Sequence, residues 1–184
     1  HTDCSTGIVV AHNGIVESYL ALKSELQEKG HKFTSETDSE ILPHLIESFM
    51  AQGYTLEESM RNAAQRIRGA HAVVAASKNE PGTIVAFRLG NAGGIVVGYG
   101  KNEMLLASDI PALLNHTKTV AYLSAGETVS ITDSHAKYSL IDGTPVGKNP
   151  SQVSYDALSA AKGKYPHFMI KEIHEQPEAV VNTL

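Results

Sequence analysis

The sequence predicts an α+β fold in which sheet layers are covered by helices. Three observations carry this. Apolar residues at helical spacing dominate the chain up to Gly69, short β-rich runs dominate from residue 72 to 141, and turn residues separate those runs. No internal repeat or low-complexity tract interrupts the pattern.

Taken in order, Ile8-Val9-Val10-Ala11 is a short β-branched apolar run and reads as a buried strand ended by Asn13-Gly14. Ile15, Tyr19, Leu22 and Leu26 then recur at helical spacing, and Gly30 closes that helix. A second helix follows Ser35–Glu40, where Thr37 and Glu40 have capping-box spacing. Ile41, Leu42, Leu45, Ile46, Phe49 and Met50 form its apolar face. Pro43 fits only if it lies in the first turn. Thr55 and Glu58 repeat the capping-box spacing ahead of Leu56, Met60, Ala63, Ala64 and Ile67, and Gly69 ends the third helix. Strands are expected at 72–76, 83–87, 95–99, 104–107, 119–123, 128–131 and 138–141. The alternation in Thr128–Thr132 suggests one wet face. Residues 144–166 read as a polar loop, and a last helix is expected from about Phe168 to Glu175, ending before Pro177.

Composition narrows the function classes. The chain has 184 residues, 42% of them hydrophobic, enough for a core without staples. A net charge of -5 argues against a nucleic-acid partner. No apolar run approaches the roughly 20 residues of a membrane helix. The polar start His1-Thr2-Asp3-Cys4 lacks a signal-peptide pattern and reads as part of a longer chain. The single cysteine suits a reducing, cytoplasmic setting.

Few residues stand out as carriers of chemistry. Asn13-Gly14 alone is a hairpin signal, but a helical pattern follows it instead of a second strand. A strand that breaks there exposes a side-chain amide and a backbone N–H together, the donors an acyl-transfer oxyanion needs. Asp38 reads either as a helix-dipole partner or as a carboxylate holding a ligand ammonium. Cys4, with His1 and His12 near in sequence, could be a nucleophile, although a small buried or half-buried apolar residue is the favoured reading. The nine histidines show no metal spacing, and no metal or cofactor is expected. Asn91-Ala92-Gly93-Gly94 reads as a turn, and Lys162-Gly163-Lys164 is too small a cluster for phosphate binding.

Together, Ile8–Glu17 with its His12-Asn13-Gly14, Ser35-Glu36-Thr37-Asp38-Ser39-Glu40, Ser108-Asp109 and Lys162–Pro177 with its Lys171-Glu172-Ile173-His174-Glu175-Gln176-Pro177 resemble the class II glutamine amidotransferases. The last segment favours their glucosamine-6-phosphate synthase branch. The resemblance implies a four-layer αββα Ntn-hydrolase sandwich of two antiparallel sheets. It also implies a glutaminase that releases ammonia from L-glutamine for hexosamine biosynthesis. In the family an N-terminal cysteine attacks the side-chain amide, its own α-amino group acts as base, and a glutamyl thioester forms. Carried over, Asn13 and Gly14 supply the oxyanion hole, Asp38 holds the glutamine α-amino group, and His1 lines that pocket.

The resemblance further implies a cytoplasmic homodimer with fructose-6-phosphate at a downstream isomerase domain. Residues 1–184 are then expected to be a partial domain, incomplete at the N-terminus, with 178–184 starting the linker. The family's nucleophile and its arginine-bearing carboxylate clamp lie upstream of His1, and Cys4 does not align with the nucleophile. This chain alone is therefore expected to be inactive. Residues 91–94 also depart from the family's Ser-Pro-Leu-like stretch. The competing expectation is a non-catalytic module that binds glutamine or acts as a scaffold.

Overall fold

The structure is a computed structural model that describes residues 1–153 and 165–183. Its elements run β1 (Ile8–Gly14), α1 (Tyr19–Glu28), α2 (Ile41–Met50), α3 (Leu56–Arg66), β2 (His71–Ser77), β3 (Ile84–Leu89), β4 (Val96–Tyr99) and β5 (Met104–Ala107). They continue with β6 (Thr119–Tyr122), β7 (Glu127–Ile131), β8 (Ala136–Leu140), β9 (Pro145–Val146), β10 (Ser151–Gln152) and α4 (Phe168–Thr183). Two 3-10 turns, Asp38–Glu40 and Ile110–Ala112, link some of these.

Two sheets form, ordered β1-β2-β3-β7-β8-β9 and β10-β6-β4-β5, and their strand pairs are antiparallel. Helices α1–α3 cover the outer face of the six-stranded sheet. Their stripes of Leu22, Leu26, Ile41, Leu45, Met60 and Ala63 bury against Val10, Val73, Val85 and Phe87. A second core lies between the sheets, where Ala86, Val129 and Ile131 meet Val97, Ala121 and Leu123. The outer face of the four-stranded sheet packs Val96 and Val120 under Leu113, beside the Ile110 turn. This is the two-sheet sandwich the sequence predicts.

The periodic segments fold as read because several rules agree at each. Thr55 accepts from the Glu58 N–H while the Glu58 carboxylate reaches back to Thr55, a full capping box that starts α3. Pro43 lies in the first turn of α2, where its missing N–H costs nothing.

Other expectations need correction. The strand does not stop before Asn13-Gly14: β1 runs through both, paired to β2 as far as Gly14↔His71. Ile15 is exposed and precedes α1, which begins at Tyr19. Thr37 and Glu40 make no capping box. Thr37 accepts from the Ser39 N–H, and the buried Glu40 carboxylate instead takes four hydrogen bonds from Thr34 and Ser35. Burial alone would raise the pKa of Glu40, but those donors outweigh it and lower the pKa to about 2.

Strand β7 has no wet face. Thr128 is 1% exposed because it pairs with Phe87, on the face that the helices cover. The 144–166 stretch contributes β9 and β10. Helix α4 continues through Pro177. The proline withholds one N–H from the Ile173 carbonyl, in an exposed part of the helix. Lys162-Gly163-Lys164 lies outside the described residues.

Candidate functional site

The site grows from the end of β1. Gly14 has φ +145°, a backbone conformation that side chains rarely adopt. A Cβ there would collide with the Ala70 carbonyl oxygen and lie 2.9 Å from both His12 Nε2 and His71 Nδ1. Only glycine fits.

The 3-10 turn at Asp38–Glu40 holds this strand end from the side. The Val16 N–H donates to Asp38 Oδ2 at 2.6 Å. Ser39 Oγ lies 2.8 Å from His12 Nδ1. These two contacts bracket Asn13-Gly14, one on each side in sequence. Asp38 is half-buried, and among the described residues its Oδ1 has only a 3.4 Å contact with the Thr37 hydroxyl. Much of that oxygen's acceptor capacity remains available.

Behind the bracket runs a polar chain. His71 Nε2 lies 3.0 Å from the Arg68 carbonyl oxygen, which can only accept, so that nitrogen carries the hydrogen. With both rings neutral, His71 Nδ1 then accepts from His12 Nε2 at 3.0 Å, and His12 Nδ1 accepts from the Ser39 hydroxyl. Burial first, and then the neighbouring His71, lower the pKa of His12, against a smaller opposing pull from Asp38. The neutral ring is thereby favoured, and so is this one direction of hydrogen bonding.

On the other side, Asn13 is exposed and lines a cavity of about 400 Å³ at the mouth between the two sheets, with Val74, Ile95, Leu106 and Ser108. The 90–95 loop forms part of its rim. Arg88 donates to the carbonyls of Ala92 and Gly93 and ties that loop down. A Cβ on Gly93 would lie 2.6 Å from Asn13 Nδ2, and one on Gly94 would lie 2.7 Å from the Ser108 carbonyl oxygen. The two glycines let the loop approach the asparagine amide and the end of β5. Ser108 joins the cavity, while Asp109 caps the following turn by accepting from the Ile110 N–H.

The structure thus places Asn13, Gly14 and Asp38 in one corner, with Asp38 opening onto a separate depression beside Val16 and Tyr19. His1 is exposed and lines neither depression. Its main-chain nitrogen donates to the Val10 carbonyl at 3.0 Å, along the edge of β1 opposite β2. Cys4 is exposed, not a buried apolar residue, and its thiol sits against His31 and His44 rather than His1 or His12. Sequence reasoning missed the Ser39–His12–His71 chain. Its members lie on three elements, and no spacing along the chain signals them.

A family model described as a glutamine amidotransferase domain matches residues 2–115. A protein of Methanothermobacter thermautotrophicus named glutamine–fructose-6-phosphate aminotransferase (isomerizing) is 49% identical over the whole chain. One of the same name from Symbiobacterium thermophilum is 43% identical. The chain spans 31% and 30% of those relatives' lengths. Among solved structures, a glutamine phosphoribosylpyrophosphate amidotransferase from B. subtilis aligns over 77% of this chain and 30% of its own, with a TM-score of 0.63 at 23% identity. A glutamine aminotransferase class-II domain protein from Silicibacter pomeroyi aligns over 73% of this chain and 66% of its own, with a TM-score of 0.52 at 15% identity. Those two likenesses speak for the fold, an α+β sandwich of two antiparallel sheets, and the sequence match speaks for the family: this chain belongs to the glutamine amidotransferase domain family.

Proposed function

We propose that residues 1–184 are the greater part of the glutaminase domain of a glutamine–fructose-6-phosphate aminotransferase. The carrying observation is the bracket in which Asp38 and Ser39 hold Val16 and His12 on either side of Asn13-Gly14. In this reading the Asn13 side-chain amide and the Gly14 N–H stabilise the oxyanion formed when a thiolate attacks the glutamine carboxamide. Asp38 Oδ1 accepts from the substrate α-ammonium, with His1 a further wall of that pocket. The attacking thiol belongs to a cysteine ahead of His1. The glutamyl thioester then forms, ammonia leaves, and water later releases glutamate. The ammonia goes to fructose-6-phosphate in an isomerase domain reached through a linker that starts at residues 178–184, and the whole works as a cytoplasmic homodimer. Among the described residues, no helix is long and apolar enough to cross a membrane.

The test is glutamate release from glutamine by the intact protein. Asp38→Asn keeps an oxygen for the Val16 N–H but loses the charge. It should raise KM for glutamine by about 10–100-fold, the worth of one charged hydrogen bond of roughly 1.5–3 kcal/mol, with a smaller effect on kcat. An unchanged KM would remove Asp38 from the site. Residues 1–184 alone should release no glutamate, and turnover by that fragment would overturn the upstream nucleophile.

One observation favours a second reading, a non-catalytic glutamine-binding module: the Gly93-Gly94 loop pressed against the Asn13 amide. It predicts saturable glutamine binding by calorimetry with no turnover in the intact protein.

A further inference from the structure

Away from Asn13-Gly14, four side chains from three parts of the chain converge. Cys4 comes from the loop before β1, His31 from the connection after α1, and His44 and Glu47 from one face of α2. Their donor atoms all lie within 4.8 Å of one another. Cys4 Sγ is 3.5 Å from His44 Nδ1 and 3.8 Å from His31 Nδ1. Glu47 Oε2 is 3.4 Å from His44 Nδ1 and 2.8 Å from His31 Nδ1.

These separations can be compared with those around a tetrahedral zinc ion. Bonds of about 2.3 Å to sulfur and about 2.0–2.2 Å to nitrogen and oxygen set sulfur–nitrogen edges of about 3.5 Å and nitrogen–oxygen edges of about 3.4 Å. Three of the four measured edges agree to within a few tenths of an ångström. Only the His31–Glu47 edge is short, at hydrogen-bond length, and a small rotation of either side chain would open it.

The surroundings suit a ligand set. His44 is 1% exposed, and its Nδ1 points into the cluster. Its other nitrogen, Nε2, makes no hydrogen bond but lies 3.7 Å from Glu40 Oε1, whose carboxylate is itself held by Thr34 and Ser35. The Lys32 N–H donates to Cys4 Sγ at 3.4 Å, which helps hold the sulfur facing the cluster. Cys4, His31 and Glu47 line a depression that gives an ion a path from solvent.

We propose that Cys4, His31, His44 and Glu47 form a structural zinc site that clamps the segment before β1 onto α1 and α2. One thiolate, two imidazoles and a carboxylate suit zinc better than magnesium or calcium, which prefer all-oxygen shells. Four protein ligands close a tetrahedral shell, so the site is structural and leaves no position for substrate. The ion would tie the Asp3–Gly7 loop to the helical layer without touching the Asn13 corner.

The test uses the intact protein, stripped with a chelator and reloaded with Zn²⁺ or Co²⁺ alone. We expect one zinc per chain by elemental analysis, and for the cobalt form a thiolate-to-metal charge-transfer band with intense tetrahedral visible absorption. Cys4→Ser should abolish the charge-transfer band. It should weaken zinc binding by more than the roughly 10–100-fold that loss of a supporting hydrogen bond costs. His31→Gln, at a half-buried position, should weaken it while leaving the fold intact by circular dichroism. Chelation should lower the unfolding temperature of the wild type but not of Cys4→Ser. Substoichiometric zinc in the reloaded wild type, or equal affinity in Cys4→Ser, would overturn the site and leave the cluster a hydrogen-bonded network.

Discussion

The two sheets are enclosed alike at their centres, where Val97 and Val120 have no more exposed surface than Val73 and Phe87, and differ at the strands that flank the cavity. In the six-stranded sheet, β2, β3 and β7 are covered on both faces, and Val73, Val85, Phe87 and Val129 have no exposed surface. In the four-stranded sheet every residue of β5 is half-buried, and the outer face is covered by Leu113, Ile110 and Val153. The candidate site straddles this difference. Asn13 and Gly14 end an edge strand of the six-stranded sheet. The cavity wall opposite, Ile95, Leu106 and Ser108, lies along β4 and β5 of the four-stranded one.

Core truncation gives the largest contrast. Phe87→Ala should cost about 3–5 kcal/mol, because a fully enclosed position cannot collapse around the cavity. Leu113→Ala should cost about 2 kcal/mol, near the bottom of the range for leucine, because the small cluster it forms with Val96 and Val120 can close in. Urea unfolding of the two variants measures both, and equal losses would erase the distinction between the sheets.

The next contrast is between two glycines. Gly14→Ala forces a side chain into a strained backbone region that costs about 1–3 kcal/mol, and its Cβ collides with the Ala70 backbone. It should lower stability and abolish glutamine turnover. Gly93→Ala instead presses on the end of the Asn13 side chain, which can swing away. It should change stability by less than about 0.5 kcal/mol yet still reduce turnover. A Gly93→Ala protein with full activity would mean that the Asn13 amide is not where the chemistry happens.

The smallest effect concerns pH. The pKa of His12 is lowered in the folded state from its ordinary 6.5, so the unfolded chain binds the proton more readily. The stabilisation from its neutral ring is complete above 6.5 and is lost as pH falls below that value. Urea midpoints should therefore drop with acidification more steeply in the wild type than in His12→Gln. Equal slopes would show that the Ser39–His12–His71 chain contributes nothing to stability.

Much of the sandwich is legible in the sequence because local signals and packing agree there. The capping box at Thr55 and Glu58, the stripe from Leu56 to Ile67 and the exact bounds of β5 all come from short-range rules. The failures have physical reasons. Glu40 has the spacing of a cap, but burial forces its carboxylate toward the nearer donors of Thr34 and Ser35. Thr128 looks like one side of a half-wet strand, but a helical layer contributed by residues distant in sequence covers it. At the site, Asn13, Gly14 and Asp38 are legible as a motif, whereas their attachment through Val16, His12 and Ser39 is a matter of which loops meet. The Cys4, His31, His44 and Glu47 cluster is illegible for the same reason: only His44 and Glu47 share an element.

The pairing of β1 through Gly14 also bears on chemical ageing. An Asn-Gly pair is fragile in a free chain, because the glycine nitrogen can attack the asparagine side-chain carbonyl, expel ammonia and leave aspartate or its isomer behind. In this protein that nitrogen belongs to a strand registered against His71. It cannot fold back onto Asn13 while the strand is paired. The fold thus preserves the amide that the proposed chemistry needs, and each unfolding event exposes it. Peptide maps of protein stored folded and stored in denaturant should differ at Asn13, and deamidation at equal rates in both would show that the strand gives no such protection.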